Sequence, residues 1–415
     1  MMDVLSVVIP AYNEEGGIAD IVERVLGIRP ALAAQEADLE LIVVDDGSRD
    51  ETAQIVSRYP GVKLVRHAIN CGYGAALKTG FAQARGQWLG FLDADGTYPP
   101  EYLPRMLEVG RCQGAELVIG SRMAGTESQM PLSRRIGNLF FARLVSLIGR
   151  QHVSDSASGM RLIRRDVLSR LYPLPDGLNF TPVMSTRALH EGIQMVEAPI
   201  PYAERVGRSK LTILGDGTRF LESIVWTALC YNPVRILGAV GLGSILLTLL
   251  IALVLVALRL AGITELGTWG TLALFGAQVL MVGGVSLFAL GATFNYLVSL
   301  FHQERVRTGL FGRPLFDPPL EERFGWLGLA TLAGGLILGA ISSGLGFAGW
   351  PVSRLWLYLL ASAMLLLVGL QLVVSWTVMR VLAELTQRES LIQGDMVGSL
   401  TMPAEELAVE GLSHG

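Results

Sequence analysis

The sequence QWLGFLDADG, residues 87–96, joins a short apolar run to two aspartates and a glycine. An apolar run of this length that stops at a turn is typical of a buried β-strand. Similar runs alternate with amphipathic stretches up to about residue 215, which predicts a parallel sheet covered by helices on both faces. The predicted strands are residues 4–9, 39–44, 62–65, 87–92 and 116–119. The predicted helices are residues 14–27, 50–59, 73–84 and 99–113.

Two carboxylates, Asp93 and Asp95, belong to this stretch and follow its apolar run. Side chains alternate along an extended backbone, so both carboxylates are expected to point the same way and to share one hard cation. Such a cation would bridge a diphosphate and offset the charge that develops on a departing nucleoside diphosphate. The alternative is an acidic turn that only closes a strand, which is the commoner meaning of this three-residue pattern taken alone.

Two further predicted strands end in polar residues, PAYNEE at 10–15 and DDGS at 45–48. Ligands of open α/β sheets bind beyond the carboxyl ends of the strands, so a nucleotide is expected there. Asp45 and Asp46 can accept hydrogen bonds from its base or ribose, and Asp50 can cap the next helix.

The stretch NCGYGAALKTG, residues 70–80, is rich in glycine but is not a dinucleotide fingerprint. Leu77 occupies the place of the third glycine, and no apolar strand leads straight into the turn. We therefore reject a nicotinamide-dependent enzyme. The glycines are expected to let a helix start pass close to a ligand or to the sheet.

Basic residues occur in three places, at Arg122, at Arg134 with Arg135, and within RVGRSK at 205–210. Guanidinium and ammonium groups suit phosphate oxygens. The alternative is that they meet anionic lipid headgroups beside a membrane.

The composition predicts contact with lipid. Hydrophobic residues make up 51% and charged residues 17% of the chain, against roughly 25% charged residues in an average soluble protein. The net charge of -4 and the absence of a basic block argue against nucleic acid as a partner. The three cysteines are widely spaced and are expected to be reduced structural residues.

Four apolar runs in the second half are long enough to cross roughly 30 Å of hydrocarbon as helices. They are residues 236–258, 272–300, 327–347 and 355–382. A large buried helical core is the alternative. The arginines of the middle loop, Arg305, Arg307, Arg313 and Arg323, place that loop in the cytoplasm by the positive-inside rule. The catalytic domain and the C-terminus are then cytoplasmic too, in agreement with an N-terminus that lacks the basic residues of a signal peptide.

We therefore divide the chain into four parts: a catalytic domain at 1–215, a juxtamembrane interfacial helix at 216–235, a four-helix transmembrane domain at 236–386 and a disordered tail at 387–415. Residues 138–149 and 211–226 mix apolar side chains with arginine and are expected to lie in the headgroup plane. Ordinary amphipathic helices packed on the sheet would show the same pattern.

Taken in order, the motifs resemble those of family 2 glycosyltransferases, which have the GT-A fold, a Rossmann-like α/β fold of nucleotide-diphospho-sugar transferases. The resemblance is strongest to the polyprenyl-phosphate group, exemplified by dolichyl-phosphate mannose synthase, and covers residues 4–215. The motifs are IPAYNEE, VVDDGS, NCGYGAALKTG, FLDADG, GSR, SDSASGMRLIRRDVL and ERVGRSKL.

The resemblance implies a role for individual residues. Mg²⁺ or Mn²⁺ would be bound by Asp93 and Asp95, which together with Asp155 form the expected catalytic set. The implied nucleotide-sugar site comprises Pro10, Ala11, Tyr12, Glu14, Val44, Asp46, Asp93, Ala94, Asp95, Arg122, Arg205 and Lys210. The lipid phosphate would meet Arg122, Arg134 and Arg135. Arg205 stands one residue closer to the GxSK portion than in eukaryotic mannose synthases.

The implied reaction is an inverting transfer of one sugar from a UDP- or GDP-linked donor to a polyprenyl phosphate, at the cytoplasmic face of a membrane. Three alternatives remain: a processive polysaccharide synthase, whose QxxRW motif is absent here; a transferase that forms glycolipids on a hydroxyl lipid; and an inactive membrane scaffold. Association with a second copy of the chain is compatible with the sequence.

Overall fold

The computed structural model describes residues 3–124, 130, 132–148, 153–202, 213–263, 267–302 and 323–398. The chain forms two compact units, Met1–Ala228 and Leu229–Gly415. The first unit is an α/β domain and the second consists of long helices.

In the described part of the first unit, seven strands form one sheet in the order β3-β2-β1-β4-β6-β5-β7. The strands are β1 (Asp3–Ala11), β2 (Ala37–Asp45), β3 (Val62–Arg66), β4 (Trp88–Phe91), β5 (Leu117–Ser121), β6 (Arg161–Arg164) and β7 (Met195–Pro199). All neighbours are parallel except that β6 runs antiparallel to both β4 and β5.

The predicted α/β class is confirmed, and all five predicted strands are present. The prediction of a parallel sheet is wrong at β6, which was not predicted at all, and β7 was also missed. Strand β6 reads Arg-Leu-Ile-Arg. A four-residue run with an arginine at each end lacks the continuous apolar pattern on which the prediction rested.

The helices of the first unit lie between these strands along the chain, except that α9 follows β7 and ends three residues beyond Ala228. They are α1 (Ile18–Gly27), α2 (Arg29–Ala33), α3 (Thr52–Ser57), α4 (Tyr73–Gln83), α5 (Leu103–Cys112), α6 (Leu132–Ile148), α7 (Leu168–Leu171), α8 (Phe180–His190) and α9 (Ile213–Tyr231). Single 3₁₀ turns at Pro100–Tyr102 and Arg165–Val167 precede α5 and α7. Helix α1 begins later than predicted because Glu14 starts a turn, in which its carbonyl accepts the N–H groups of Gly17 and Ile18.

Alternate side chains of β1 build two cores, one on each face of the sheet. Val7 and Ile9 join the core that contains Ile21 of α1, whereas Val8 joins the core that contains Phe81 of α4. This alternation is the expected period of an extended strand buried on both faces. Gly80 brings α4 close to the sheet, because a Cβ there would lie 2.2 Å from Cγ1 of Val8.

The order of the strands brings the loops of interest to one edge. Strands β1, β2 and β3 end there, and so do β4 and β5, since β6 lies antiparallel between them. The residues that precede β6 therefore reach the same edge. The chain passes from β1 to β2 on one side and to β4 on the other, and such a switch in strand order opens a crevice for ligands.

Helices α6 and α9 cover the two segments that were expected to be interfacial. Phe141 of α6 and Phe220 of α9 pack edge to face at 5.9 Å, so the two helices contact one another. Ile136, Phe140 and Trp226 are each more than half exposed. Packing and lipid contact remain compatible with this arrangement, and the interfacial location stays a prediction.

In the described part of the second unit, four helices are long and apolar enough to cross a membrane, as predicted. They are α10 (Pro233–Leu260), α11 (Thr268–His302), α12 (Phe324–Phe347) and α13 (Val352–Gly398). We conclude that the chain is an integral membrane protein. Helix α13 continues to Gly398, so the beginning of the predicted tail is helical instead of disordered. Arg305, Arg307 and Arg313, on which the predicted orientation depends, lie outside the described residues.

Small residues let these helices approach closely. A Cβ at Gly241 of α10 would lie 2.5 Å from the carbonyl oxygen of Gly284 in α11. A Cβ at Gly328 of α12 would lie 3.0 Å from the carbonyl oxygen of Gly369 in α13. Close backbone contact of this kind is a common basis of helix association in lipid.

Candidate active site

An open cleft of about 490 Å³ lies at the carboxyl ends of β1, β2 and β3. Its lining comprises Tyr12, Gly47, Ser48, Arg49, Arg66, His67, Ala68, Ile69 and Asn70. The volume falls within the usual range of small-molecule sites. Of the predicted nucleotide-binding residues, Tyr12 lines the cleft, whereas Pro10, Ala11 and Val44 are buried in β1 and β2.

The loop after β1 is tied to the loop after β2. The N–H of Asn13 donates to Ser48 Oγ at 2.9 Å, and Asn13 Oδ1 accepts the N–H of Arg49. The N–H of Glu14 donates to Thr52 Oγ1 at 2.9 Å. Asn13 has a positive φ of 51°, a conformation that asparagine tolerates better than most residues. One wall of the cleft is thus fixed by bonds between segments distant in sequence.

Asp46 holds the residues that follow β3, some of which line the cleft. Its Oδ1 accepts the N–H of Cys71 at 2.9 Å, and its Oδ2 accepts the N–H of Gly72 at 2.9 Å. His67 Nδ1 lies 2.7 Å from Oδ1, and His67 Nε2 lies 2.9 Å from Thr79 Oγ1. Asp46 is almost fully buried. Its carboxylate therefore holds the start of the glycine-rich stretch, and its predicted contact with a base or ribose stays a prediction.

Asp46, His67 and Cys71 also place three potential metal ligands within 4.8 Å of one another. The Asp46 oxygens already bind His67 and two backbone amides, which accounts for the grouping without a cation. His67 was missed by the sequence analysis, because nothing in its local sequence indicates a partner at Asp46. Cys71, Cys112 and Cys230 are free, as expected for reduced residues, but all three are exposed, whereas a structural role in the core was expected.

The glycine-rich stretch packs closely against residues 175–176 where α4 begins. The carbonyl of Asp176 accepts the N–H groups of Gly74, at 2.7 Å, and Ala75, at 3.2 Å. Gly72 has a φ of +106°, and a Cβ there would lie 2.5 Å from that same carbonyl oxygen. Lys78 Nζ also binds the Asp176 carboxylate. The glycines thus admit residues 175–176 and the sheet, and no ligand is needed to explain them.

Asp93 and Asp95 stand in a turn after β4. The strand ends at Phe91, so the argument from an extended backbone is wrong for this pair, and Gly96 closes the turn with a φ of +75°. Asp93 is half-buried, and its Oδ1 accepts the hydroxyl of Tyr73 at 2.8 Å. Asp95 is 7% exposed, and its Oδ1 accepts the Thr97 hydroxyl at 2.6 Å.

The donor set of this turn suits a divalent cation. Carboxylate oxygens are the ligands that Mg²⁺ and Mn²⁺ prefer, and each of these carboxylates is oriented by a hydroxyl on one oxygen. Ala94, between them, is buried. Burial, followed by the charge of Asp93, raises the pKa of Tyr73 well above its usual value, so its hydroxyl remains a donor at neutral pH.

Arg122 and Asp155 form a two-point ion pair beside this turn, in which the side chain of Arg122 is 12% exposed and that of Asp155 is fully buried. Arg122 Nε donates to Asp155 Oδ2 and Nη2 donates to Oδ1, both at 2.7 Å. The Arg122 guanidinium also lies 5.8 Å from the ring centre of Tyr98 and 5.5 Å from that of Tyr202. Burial alone would raise the pKa of Asp155, but the charge and hydrogen bonds of Arg122 offset burial and hold this pKa below its usual range.

Asp155 is fully buried, with both carboxylate oxygens on Arg122. Any part it plays in a reaction is therefore exerted through Arg122. Glu197 of β7, which the sequence analysis missed, accepts the N–H groups of Ser154 and Asp155 and fixes this turn.

Arg161 is a second buried guanidinium on this side of the sheet. It is 0% exposed, and it donates to the carbonyls of Ser156 and Ser158. Burial lowers the pKa of Arg161 to about 10. The side chain remains charged at neutral pH and adds a positive charge to the interior.

Several predicted site residues lie outside the described part of the chain. Arg205 and Lys210 fall in an undescribed segment, and the side chain of Arg134 is also outside the description. Arg135, on α6, is exposed. Their predicted contacts with nucleotide or lipid phosphate stay predictions.

Residues 6–172 match the family model described as glycosyl transferase family 2, and residues 233–393 match a domain of unknown function, DUF8752. The chain is 32% identical over 291 residues to the low-salt glycan biosynthesis hexosyltransferase Agl6 of Haloferax volcanii, covering 68% of each protein. It is 32% identical over 321 residues to the undecaprenyl-phosphate 4-deoxy-4-formamido-L-arabinose transferase of Pseudomonas aeruginosa, covering 75% of this chain and 89% of the relative. It is also 32% identical to the dolichyl-phosphate hexose transferase of Haloferax volcanii, covering 54% of this chain and 93% of the relative.

Proposed function

The chain belongs to glycosyl transferase family 2, and on that basis we propose that it transfers one sugar from a nucleotide-diphosphate sugar to a polyprenyl phosphate in a membrane. Two of the similar proteins are named as transferases for undecaprenyl or dolichyl phosphate. The four apolar helices give this chain the contact with lipid that such an acceptor requires.

The observation that carries the proposal is the arrangement of the sheet edge. An open cleft at β1 to β3 leads along this edge to an acidic turn after β4 and to Arg122 after β5, which is paired with a buried carboxylate. We assign the nucleoside to the cleft and the diphosphate to the turn. A Mg²⁺ or Mn²⁺ ion held by Asp93 and Asp95 would offset the negative charge of that diphosphate.

Arg122 is the group we assign to phosphate. Asp155 engages its Nε–H and one Nη2–H, and a guanidinium has five N–H donors in a planar fork. As far as the described residues are concerned, three N–H groups therefore remain for phosphate oxygens, while the ion pair keeps the fork in one orientation. Arg134, Arg135, Arg205 and Lys210 are proposed to add positive charge toward the lipid or the diphosphate.

The chemistry follows from the acceptor. A lipid phosphate is ionised at neutral pH, so its oxygen can attack the anomeric carbon without a general base. The bond from this oxygen to carbon forms as the bond from carbon to the diphosphate oxygen breaks, and in-line attack inverts the configuration. Positioning of the two substrates and stabilisation of the leaving charge then supply most of the acceleration.

We further propose that the catalytic unit and the C-terminus face the cytoplasm. The support is the sequence alone, since the four arginines of residues 302–323 exceed the basic residues in the loops on the other side. Cysteine labelling of intact cells, with reagents that do not cross the membrane, tests this orientation. Labelling of an exposed residue of the first unit from outside would reverse it.

The enzymatic proposal is tested with the purified full chain, undecaprenyl phosphate and a panel of radiolabelled UDP- and GDP-sugars with Mn²⁺ or Mg²⁺. We expect one donor to pass its label into the organic phase, with undecaprenol as the acceptor control. Label that stays in water for every donor contradicts the proposal. Equal labelling of undecaprenol, or of a diacylglycerol, supports the hydroxyl-lipid alternative instead.

A further inference from the structure

Tyr73 contacts the acidic turn but belongs to the glycine-rich stretch, to which the sequence analysis gave no part in metal binding. Its hydroxyl donates to Asp93 Oδ1 at 2.8 Å. A hydrogen bond from a neutral phenol to a carboxylate is directional and stronger than one between neutral groups. It therefore restricts the rotation of the Asp93 carboxylate.

The Tyr73 ring is held from two directions. It packs edge to face on Phe180, with ring centres 6.4 Å apart, and Phe180 in turn contacts Phe81 and Phe91. On the backbone side, Gly72 and Gly74 fit against the carbonyls of residues 175–176. The Tyr73 hydroxyl therefore reaches Asp93 from a ring that is packed in an aromatic cluster. Phe91 of this cluster belongs to β4, the strand that precedes Asp93.

Gly159 confines the same carboxylate from another side. A Cβ at Gly159 would lie 2.6 Å from Asp93 Oδ2 and 2.9 Å from Oδ1, so any side chain there would displace the carboxylate from this position. The N–H of Gly159 donates to the hydroxyl of Tyr98 at 2.7 Å, which fixes the position of the glycine. Asp93 thus lies between a donor and a close steric boundary.

We propose that Tyr73 is a positioning residue for the divalent cation, which holds the Asp93 carboxylate in the orientation that binds the metal. This rests on the proposed function, in which Asp93 and Asp95 bind that metal. Outer partners that orient a ligand in this way typically contribute about 10- to 100-fold to metal affinity or activity. The alternative is that the bond only joins α4 to the turn and stabilises the fold.

Tyr73→Phe tests the proposal because it removes the hydroxyl and retains the ring that packs on Phe180. Tyr59→Phe is a matched control, since the Tyr59 hydroxyl donates to Glu23 at the same distance of 2.8 Å in a hydrogen bond that is exposed to solvent. Binding of Mn²⁺ to the full-length proteins is measured by the loss of the free-ion signal in electron paramagnetic resonance, with UDP or GDP present. Nucleotide binding in EDTA and thermal unfolding report on the fold.

We expect Mn²⁺ to bind about 10- to 100-fold more weakly to Tyr73→Phe than to the wild type, and to bind Tyr59→Phe like the wild type. Sugar transfer by Tyr73→Phe should recover at saturating Mn²⁺. Equal Mn²⁺ affinity in the two variants, or a loss of nucleotide binding in EDTA by Tyr73→Phe, overturns the positioning role. If the wild type transfers sugar without binding Mn²⁺, the metal assignment is wrong and the inference about Tyr73 is wrong with it. If the wild type is active and binds Mn²⁺, the comparison of the two variants tests the role of Tyr73 alone.

Discussion

The two halves of the sheet edge differ in how they use polar residues. At β1 to β3 the edge is an open cleft, and its carboxylates mainly bind backbone amides of neighbouring loops. At β4 to β7 the edge is closed around Arg122, Asp155 and Arg161, and the charges bind one another or carbonyl groups. The open half suits the entry and release of the nucleotide that we propose for the cleft. The closed half keeps its charges in fixed positions, which is where charge development is best stabilised.

Substitution of Asp95 should produce the largest effect, because it removes a proposed metal ligand at the border of the two halves. We expect Asp95→Ala to lower kcat by about 10³ or more, which corresponds to roughly 4 kcal/mol of lost charge stabilisation. Asp20→Ala, on the exposed surface of α1, should leave kcat unchanged. Rates are measured at saturating Mn²⁺, and a near-normal rate for Asp95→Ala would exclude this carboxylate from the metal site.

The closed half should depend on its ion pair for stability. Removing one partner of a buried pair leaves an uncompensated charge, so Asp155→Asn should cost about 3–5 kcal/mol of unfolding free energy. Asp166→Asn is the matched control, because Arg164 and Asp166 form an equally short two-point pair with Asp166 62% exposed. Such exposed pairs contribute about 0–1 kcal/mol. Similar losses in both variants, measured by denaturant unfolding, would contradict the contrast between the halves.

The Arg122–Asp155 pair predicts that the free energy of unfolding depends on pH. Because the pKa of Asp155 is lowered in the folded state, its stabilisation is fully present above the unfolded value of about 4. It is lost as the pH falls through the lower, folded-state pKa. The stability difference between the wild type and Asp155→Asn should therefore be constant from pH 8 to 5 and narrow below about pH 4. A difference that already narrows at pH 6 would assign the stability to another group.

Gly159→Ala tests how strongly the reaction depends on the position of the Asp93 carboxylate, without removing that carboxylate. The new methyl group must displace the Asp93 carboxylate, and a shift of about 1 Å can cost on the order of 10²-fold in rate. We expect kcat to fall by about that factor while the affinity for the nucleotide is retained. Gly27→Ala, at a position with open space around the new methyl group, is the control. A fully active Gly159→Ala would show that the Asp93 carboxylate tolerates displacement.

The open half should show the smallest effect, and mainly on binding. Asp46→Asn weakens the bonds to Cys71, Gly72 and His67, which are worth about 1.5–3 kcal/mol each when the acceptor is charged. We expect the KM for the donor sugar nucleotide to rise about 10-fold with kcat within about threefold. Asp38→Asn, at the opposite end of β2, should change neither constant. A fall in kcat alone would place Asp46 in the reaction instead of in the cleft wall.

The sequence predicted those parts of the fold that depend on local pattern. The apolar runs of β1 and β2 and the four membrane helices were recognised because an apolar environment on all sides, which is the core for the strands and lipid for the helices, leaves a continuous apolar stretch. Strand β6 was missed because Arg161, although fully buried, reads as a polar residue. Its burial depends on carbonyl groups of the preceding turn, which become acceptors only once the turn has formed.

Candidate site residues could be named from the sequence where motifs stand at strand ends, as at Asp46, Asp93 and Asp95, and their roles stay predictions. Contacts that form only through tertiary packing could not be named in this way. Tyr73 lies 20 residues from Asp93 and His67 lies 21 residues from Asp46 in sequence. No local pattern links such pairs, and Glu197 reaches Ser154 only because β7 aligns beside β5.

The antiparallel course of β6 brings both ends of the segment between β5 and β6 to the same edge of the sheet. The two ends of the segment between β5 and β6 contact one another. Ser121 Oγ and Ser154 Oγ lie 2.8 Å apart, and Arg122 forms an ion pair with Asp155. Because these contacts hold its two ends together, the intervening segment can change in length at a small entropic cost. The part of the chain that carries Arg134 and Arg135, which are proposed to meet the lipid phosphate, could therefore vary in length while Ser121 and Ser154 keep their positions.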